Sequence, residues 1–277
     1  ALSARLAAMP RSEWEATNVS DETGDTPLHA AAYGGFVEVV RVLVGAGADP
    51  NMRTLDAETP LHAAASEGHA EVVVALVEAG AVVDAANSEG GSPLHYAASK
   101  GQVAAAEALL AAGAYPALKD ADGSTPLHEA AVYGHAEVAR ALLASGPEEE
   151  ESPLMDAEIM YGALRAAAAQ GHPGVIEALL EAGADISAAN AGGNNALHVA
   201  AFMGQAAAVT AVLNGGAAVG APNAEGLTAL HMAALGGHDP VVQLLLEAGA
   251  SACVQTKEGA TPLQMAEEGG AVAMLLE

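Results

Sequence analysis

The sequence predicts an all-α solenoid, a stack of similar helix-turn-helix units, from three observations. A Thr-Pro-Leu-His motif or a close variant recurs at an almost constant spacing, and a glycine closes an apolar helical segment at that same spacing. Aromatic residues make up only 3% of the 277 residues. Burial must therefore come from many small Ala, Val and Leu side chains, which suits stacked helices better than a β-rich core.

The repeat period is 33 residues, with one interval of 37 between the fourth and fifth copies. The first residues of the copies are Thr26, Thr59, Ser92, Thr125, Gly162, Asn195, Thr228 and Thr261. The glycines that close the apolar segments are Gly47, Gly80, Gly113, Gly146, Gly183, Gly216 and Gly249. Because two independent positions share one period, the chain is predicted to consist of repeats.

Each repeat is predicted to contain a turn, a short helix and a longer helix. The Thr side chain accepts a backbone N–H of the first turn, and Pro, which lacks an N–H, suits the first helical position. A glycine ends this helix after about two turns. The second helix, as in EVVVALVEAG at residues 71–80, has apolar residues at helical spacing. Linkers such as ANSEGG are typical of β-turns.

These motifs resemble those of the ankyrin-repeat family. The stretches that match its T-P-L-H-x-A-A-x-x-G-H pattern are TPLHAAAYGG, TPLHAAASEGHAEVV, SPLHYAASKG, TPLHEAAVYGHAEVA, NALHVAAFMG, TALHMAALGGHDPVV and TPLQMAEEGG. The resemblance covers residues 19–277 and implies an eight-repeat ankyrin solenoid with short β-turn fingers. It also implies a protein-protein interaction scaffold.

Two regions depart from the pattern. In the fifth unit Gly162, Ala163 and Arg165 replace Thr, Pro and His, and an acidic insertion precedes them at about 147–156. We expect a degenerate repeat with a solvated loop insertion. Residues 1–18 lack the motif and are predicted to form an N-terminal capping helix and linker, because a terminal repeat otherwise leaves an apolar face in water.

The net charge is strongly negative: 9 Lys and Arg against 35 Asp and Glu give −26 with His neutral. Such a surface repels nucleic-acid phosphates and anionic lipids, so we expect no nucleic-acid binding and, with no long apolar stretch, no direct membrane insertion. It attracts basic partners. Two alternatives stay open, because the charge could serve only solubility or adaptation to salt.

The motif histidines are predicted to be structural. A metal ion needs ligand nitrogens at about 2.0–2.1 Å, whereas equivalent residues of stacked helices lie about 8–10 Å apart. We expect each ring to lie at the third helical position and to hydrogen-bond the adjacent turn. No nucleotide-binding loop, HExxH or nucleophile motif occurs, so the sequence predicts no enzyme, cofactor or metal. The histidines are His29, His62, His95, His128, His198 and His231.

The single cysteine, Cys253, suits a reducing compartment, so we expect an intracellular protein. The cytoplasm is the expected compartment, with the nucleus or an organelle interior as open alternatives, and we expect the chain to be monomeric by itself. The chain starts with Ala rather than Met. Two alternative functions therefore stay open: a regulatory or targeting domain of a larger enzyme or channel, and a structural spacer in a large assembly.

The resemblance implies that a partner binds at the fingertips and on the exposed side of the first helices, which line a concave groove. The acidic fingertip positions are Glu22, Asp56, Glu89, Asp122, Glu158, Glu225 and Glu258, and Asp25 and Glu58 come just before a motif. This acidic row predicts a partner with a basic segment.

The groove-facing positions of the first helices are rich in aromatic and apolar residues. They include Tyr33, Glu67, Tyr96, Lys100, Glu129, Tyr133, Phe202, Met203, Met232 and Leu235. The aromatic members are expected to be anchor contacts for apolar residues of the partner. For the methionines, packing between neighbouring repeats is an equally good interpretation.

Overall fold

The computed structural model describes residues 18, 20–145, 156–266 and 275. Within them, helices alternate between a first and a second member of each repeat. They are α1 (Pro27–Tyr33), α2 (Val37–Gly45), α3 (Pro60–Glu67), α4 (Ala70–Glu78), α5 (Pro93–Ser99), α6 (Val103–Ala111), α7 (Pro126–Tyr133), α8 (Ala136–Ala144), α9 (Ala157–Gln170), α10 (Pro173–Glu181), α11 (Ala196–Phe202), α12 (Ala206–Asn214), α13 (Ala229–Leu235), α14 (Asp239–Glu247) and α15 (Pro262–Met265). The predicted capping segment and nearly all of the insertion lie outside the described residues.

The chain divides into two compact units. The N-terminal unit consists of residues 1–130 and 137–154, and the C-terminal unit of residues 131–136 and 155–277. In the N-terminal unit α1, α3 and α5 pack side by side, and so do α2, α4 and α6. In the C-terminal unit α9, α11, α13 and α15 form one row and α10, α12 and α14 another. Each unit is therefore a two-layered stack of helices.

The predicted all-α class is confirmed. The described residues contain no β-strand and only a single bridge, between Ala189 and Asn195. The core consists of small aliphatic residues at the repeat period, as the composition indicates. The motif leucines Leu28, Leu61 and Leu94 are completely buried. The alanine pairs that follow at 31–32, 64–65 and 97–98 are at most 4% exposed. Burying one Leu contributes about 1.5–3 kcal/mol.

The motif starts each first helix with a reciprocal cap. The backbone N–H of Thr26 donates to Nδ1 of His29 (3.2 Å), and the N–H of His29 points back to Oγ1 of Thr26 (3.4 Å). This capping box, in which the third helical residue is His or Gln, recurs at Thr59, Ser92, Asn195, Thr228 and Thr261. The predicted position of the histidines is confirmed, and the box satisfies two otherwise unpaired N–H groups.

The other ring nitrogen of five of these histidines connects neighbouring repeats. Nε2 of His29 lies 3.2 Å from the carbonyl oxygen of Glu58, and Nε2 of His62 lies 3.1 Å from that of Gly91. Because Nδ1 already accepts a backbone N–H, the proton is on Nε2, which donates to the carbonyl. Each ring is therefore neutral. His95, His198 and His231 make the same contact.

The fifth repeat starts its first helix earlier than the motif register predicts. The side chain of Asp156 accepts the N–H groups of Glu158 (2.8 Å) and Ile159 (3.3 Å), so α9 begins at Ala157 and runs for 14 residues. Gly162 thus lies inside the helix. The prediction that Glu158 is a fingertip residue is wrong, because without Thr-Pro the nearest capping side chain is Asp156, and Glu158 belongs to the first helical turn.

Candidate protein-binding surface

The turns before the first helices have one common five-residue design, and we call them finger turns. Their residues are 21–25, 54–58, 87–91, 120–124, 190–194, 223–227 and 256–260. In the third of them, Oδ1 of Asn87 accepts the N–H groups of Glu89 (3.0 Å) and Gly91 (2.8 Å). The fourth residue adopts a left-handed conformation, which suits glycine. Among these turns Ala57 is the one fourth residue that is not glycine, and it is also left-handed, at φ 61°.

Neighbouring finger turns are joined by backbone hydrogen bonds. The N–H of Leu55 donates to the carbonyl of Thr23, that of Ser88 to Asp56, and that of Ala121 to Glu89, each at 2.9 Å. These bonds fix the spacing of the fingertips. The predicted fingertip residues Glu22, Asp56, Glu89 and Asp122 are all exposed, and so are Glu225 and Glu258 of the C-terminal unit.

A pocket of about 520 Å³ lies in the N-terminal unit between α1, α3 and the turns that precede them. We call it the α1–α3 pocket. It is lined by Asp21, Asp25, His29, Ala30, Tyr33, Glu58, Thr59, His62, Ala63, Ser66 and Tyr96. Four residues that the sequence singled out, Asp25, Tyr33, Glu58 and Tyr96, are thus brought to one place.

Tyr96 forms a fixed wall of the α1–α3 pocket. Its hydroxyl donates to the carboxylate of Glu58 and accepts Nδ2 of Asn87 (2.9 Å), and its ring packs edge-on against His62 at 5.4 Å between centroids. Burial and the hydrogen bond to Glu58 raise the pKa of the Tyr96 hydroxyl. The hydroxyl therefore stays protonated and holds the Glu58 carboxylate in place.

The α1–α3 pocket is negative at neutral pH. Asp21, Asp25 and Glu58 contribute carboxylates, and no Lys or Arg is among the lining residues. Hydrogen bonds from the side chain and backbone of Thr23 lower the pKa of the Asp21 carboxyl. The rings of His29 and His62 add no charge, because their Nδ1 atoms accept backbone N–H groups.

The other predicted partner-binding residues of the N-terminal unit lie on its first helices or at their ends, and they differ in how exposed they are. Glu67 and Lys100 are exposed at the ends of α3 and α5. Glu129 on α7 is half-buried, and burial followed by the charge of Asp120 raises the pKa of its carboxyl. Glu129 is therefore less available as a negative contact than Asp25 or Glu58.

The corresponding surface of the C-terminal unit is apolar. Phe202, Met203 and Leu235 are 45–51% exposed at the C-terminal ends of α11 and α13, with Met232 half-buried beside them. Tyr133, also of this unit, is exposed and stacks on His135 at 6.5 Å between ring centroids. These exposed side chains offer apolar contacts to a partner.

Neutral amides occupy several positions of the C-terminal finger turns, which also carry the acids Glu225 and Glu258. Nδ2 of Asn223 donates to Oδ1 of Asn194 (2.9 Å), and the hydroxyl of Tyr161 donates to the Asn194 carbonyl (2.9 Å). The sequence reasoning missed Tyr161, because the degenerate motif around it gave no register. A second pocket of about 320 Å³ in this unit is lined by Glu225, Glu258 and Lys257 among others, so it is mixed in charge.

Two further features of the described residues bear on function. No group of three or more His, Cys, Asp or Glu side chains there is arranged to hold a metal ion. None of the helices described above is both long and apolar enough to cross a membrane.

Comparison with known proteins identifies the repeat. A family model described as ankyrin repeats in three copies matches residues 6–87, 43–120 and 83–152, and two models described as ankyrin repeats in many copies match residues 164–213 and 212–266. No curated protein matches the sequence.

Solved structures of similar fold are ankyrin domains. The human ASB11 ankyrin repeat domain is 26% identical, with 91% of this chain and 96% of that chain covered and a TM-score of 0.55. The ankyrin repeat domain of Bcl-3, a member of the IkappaB protein family, is 28% identical, with 92% and 99% covered and a TM-score of 0.55.

Proposed function

The chain belongs to the ankyrin-repeat family, whose members are generally protein-interaction modules, and from this premise we propose that it binds a basic, partly apolar segment of another protein. The observation that carries the proposal is the α1–α3 pocket, where three carboxylates and two tyrosines meet without a cation. This fold is typically non-enzymatic, and the proposed binding needs no reaction step.

Electrostatics and exposed apolar side chains support this choice of partner. A net charge of −26 attracts basic segments over long range and raises their association rate. Tyr33 is 62% exposed and Phe202 is 45% exposed, so both rings can bury apolar groups of a partner. Aromatic residues are the side chains that most often dominate binding energy.

A random peptide library displayed on phage and selected on the whole chain at low salt tests the proposal. We expect the selected peptides to be enriched in Lys and Arg together with apolar residues. Raising the salt from about 0.1 M to 1 M shortens the Debye length from about 10 Å to about 3 Å and should weaken binding of the selected peptides. Enrichment of acidic or uncharged peptides, or binding that is independent of salt, would show that the proposed partner class is wrong.

Charge reversal at the fingertips tests where the segment binds. We expect Glu89→Lys with Asp122→Lys to lower affinity for a selected basic peptide by at least about tenfold, because both side chains are exposed on neighbouring finger turns. Glu71→Lys with Glu107→Lys is the matched control, since these exposed acids lie on the second helices α4 and α6. Equal losses in both variants would mean that only the net charge matters.

We also infer that the protein is a monomer in a reducing intracellular compartment. Cys253 is exposed and has no disulfide partner, and the net charge opposes self-association. Light scattering of the purified chain at low and high salt should give the mass of one chain, and a dimer at both salts would contradict this inference.

A further inference from the structure

We propose that the α1–α3 pocket binds one arginine side chain of the partner segment, an inference that rests on the function proposed above. The pocket belongs to the N-terminal unit alone, and its walls come from consecutive repeats: Asp25 precedes α1, Glu58 precedes α3, and Tyr96 is on α5. A single side chain that enters it meets all three elements.

The size and lining of the pocket suit a long side chain with an apolar stem. The volume of about 520 Å³ exceeds the space that one side chain needs. Ala30 on α1 and Ala63 on α3 face it with methyl groups, which leave room for a hydrocarbon stem. Tyr33 lines the pocket and is 62% exposed, so its ring is accessible to the stem of an entering side chain.

The carboxylates have acceptor capacity left for a ligand. Oε1 of Glu58 receives the Tyr96 hydroxyl. Oδ2 of Asp25 lies 2.9 Å from the Thr23 hydroxyl, whose single hydrogen it shares with Oδ1 of Asp21 at 2.6 Å. The second oxygens of Glu58 and Asp25 receive no hydrogen bond from the described residues. Since a carboxylate accepts up to about four hydrogen bonds, both groups can bind a cationic donor without losing their present partners.

These groups favour arginine over lysine. A guanidinium is planar and presents five N–H donors, so it can donate to two carboxylates at once and stack on an aromatic ring. Glu58, Asp25 and Tyr33 supply those three contacts. A lysine ammonium is a compact and strongly hydrated point charge, which gains less from a pocket that is partly apolar.

The test uses the whole ¹⁵N-labelled chain and two small probes, acetyl-Gly-Arg-Gly-amide and acetyl-Gly-Lys-Gly-amide, followed by NMR. We expect the arginine probe to shift the amide signals of Ala30, Tyr33 and Ala63 and to bind about tenfold more tightly than the lysine probe. Shifts confined to other parts of the chain, or equal affinity for the two probes, would overturn the proposal.

Variants that each remove one negative charge distinguish binding in the pocket from general electrostatic attraction. Glu58→Gln keeps an oxygen acceptor for the Tyr96 hydroxyl, and we expect it to reduce the preference for arginine to about twofold or less. Glu71→Gln, on the second helix α4 and outside the pocket lining, should leave the preference unchanged. Tyr33→Leu should reduce the preference while keeping an apolar side chain at the mouth. A preference that survives in Glu58→Gln would overturn the proposal.

The library selection described above distinguishes failure of this proposal from failure of the proposed function. If basic peptides are selected but contain Lys and Arg interchangeably, the function stands and the arginine pocket is wrong. If no basic peptides are selected, the proposed function itself fails.

Discussion

The two units of the chain share one backbone plan and differ in the chemistry of the surface that this plan displays. The last residue of the finger turn shows the difference most clearly. In the N-terminal unit it is Asp25, Glu58, Gly91 and Ser124, so two of the four are acidic, whereas in the C-terminal unit it is Asn194, Leu227 and Ala260, none of them acidic. The residues that build the repeat are alike in both units, so the difference in charge is free to serve recognition.

The first helices show the same contrast. Tyr33 and Glu67 are exposed on the N-terminal unit, and Phe202, Met203 and Leu235 on the C-terminal unit. A cationic side chain fits the first surface and an apolar side chain the second. The difference shows that equivalent positions in a repeat protein can carry different contacts on one scaffold. Substitutions in the core, the turns and the surface can show whether the shared backbone plan is independent of the different surface residues.

The largest expected effect tests the shared core. Leu94 in α5 and Leu197 in α11 occupy equivalent positions and are 0% and 1% exposed. We expect Leu94→Ala and Leu197→Ala each to lower the free energy of unfolding by about 2–5 kcal/mol, measured by urea denaturation. Leu55→Ala, at a residue that is 77% exposed, is the control and should change stability little. A large loss in only one unit would show that the two cores are not equivalent.

The second test concerns the finger turns. A Cβ at Gly90 would lie 2.8 Å from the Ala121 nitrogen, and one at Gly193 would lie 2.7 Å from the Ala224 nitrogen. We expect Gly90→Ala and Gly193→Ala to cost at least about 1–2 kcal/mol each, because both also have positive φ.

The reverse change at the same turn position provides the control. Ala57 is left-handed at φ 61°, so Ala57→Gly should stabilise the protein by about 0.5–1 kcal/mol after the entropy cost of glycine. If thermal unfolding shows that Ala57→Gly is less stable than the wild type, the left-handed conformation of Ala57 is not strained.

The third test uses the pKa of the buried histidines. Burial lowers the pKa of His62 in the N-terminal unit and of His198 in the C-terminal unit. The folded protein keeps these rings neutral, so below a pH of about 6.5 the unfolded chain binds more protons and stability falls as the pH falls. The loss for one proton is at most about 1.4 kcal/mol per pH unit.

Gln264 shows how this titration can be removed. It occupies the histidine position of the last repeat and accepts the N–H of Thr261 at 2.9 Å. We expect His62→Gln and His198→Gln each to cost stability at pH 7 and to cost less at pH 5, measured by urea denaturation. The carboxylates titrate in wild type and variant alike, so their contribution cancels. A cost that is the same at both pH values would mean that the histidine is not neutral in the folded state.

The smallest expected effect tests the difference between the surfaces. Asn194→Asp keeps the oxygen that accepts Nδ2 of Asn223 and gives the C-terminal unit an acid at the position of Glu58. We expect a change in stability of less than about 0.5 kcal/mol and a gain of about twofold in affinity for a selected basic peptide, measured by fluorescence anisotropy. Weaker binding would contradict the role assigned to negative charge.

Local sequence rules predicted most of the fold. Thr, Pro, Leu and His stand within four residues of one another, so the helix start, its cap and its buried leucine follow from neighbouring residues alone. The prediction that Glu158 is a fingertip residue failed because it relied on the same local motif. Where the motif is lost, a register transferred from other repeats gives no information about which side chain caps the helix, and Asp156 does so instead.

The candidate site was only partly predictable. The exposure of Tyr33 and Asp56 follows from the repeat register. The hydrogen bond between Tyr96 and Glu58 does not, because it joins residues 38 positions apart and on different repeats. The sequence predicts Tyr96 as an anchor contact for a partner. In the structure this hydrogen bond also makes Tyr96 a wall of the α1–α3 pocket.

The amino-acid sequence thus specified the repeat, the caps, the structural role of the histidines and the sign of the charge. Each of these depends on composition or on residues close together in the chain. The stacking of the repeats decided which of these carboxylates and rings meet in the α1–α3 pocket. Such meetings depend on side-chain directions and on backbone bonds between finger turns, which a one-dimensional pattern does not contain.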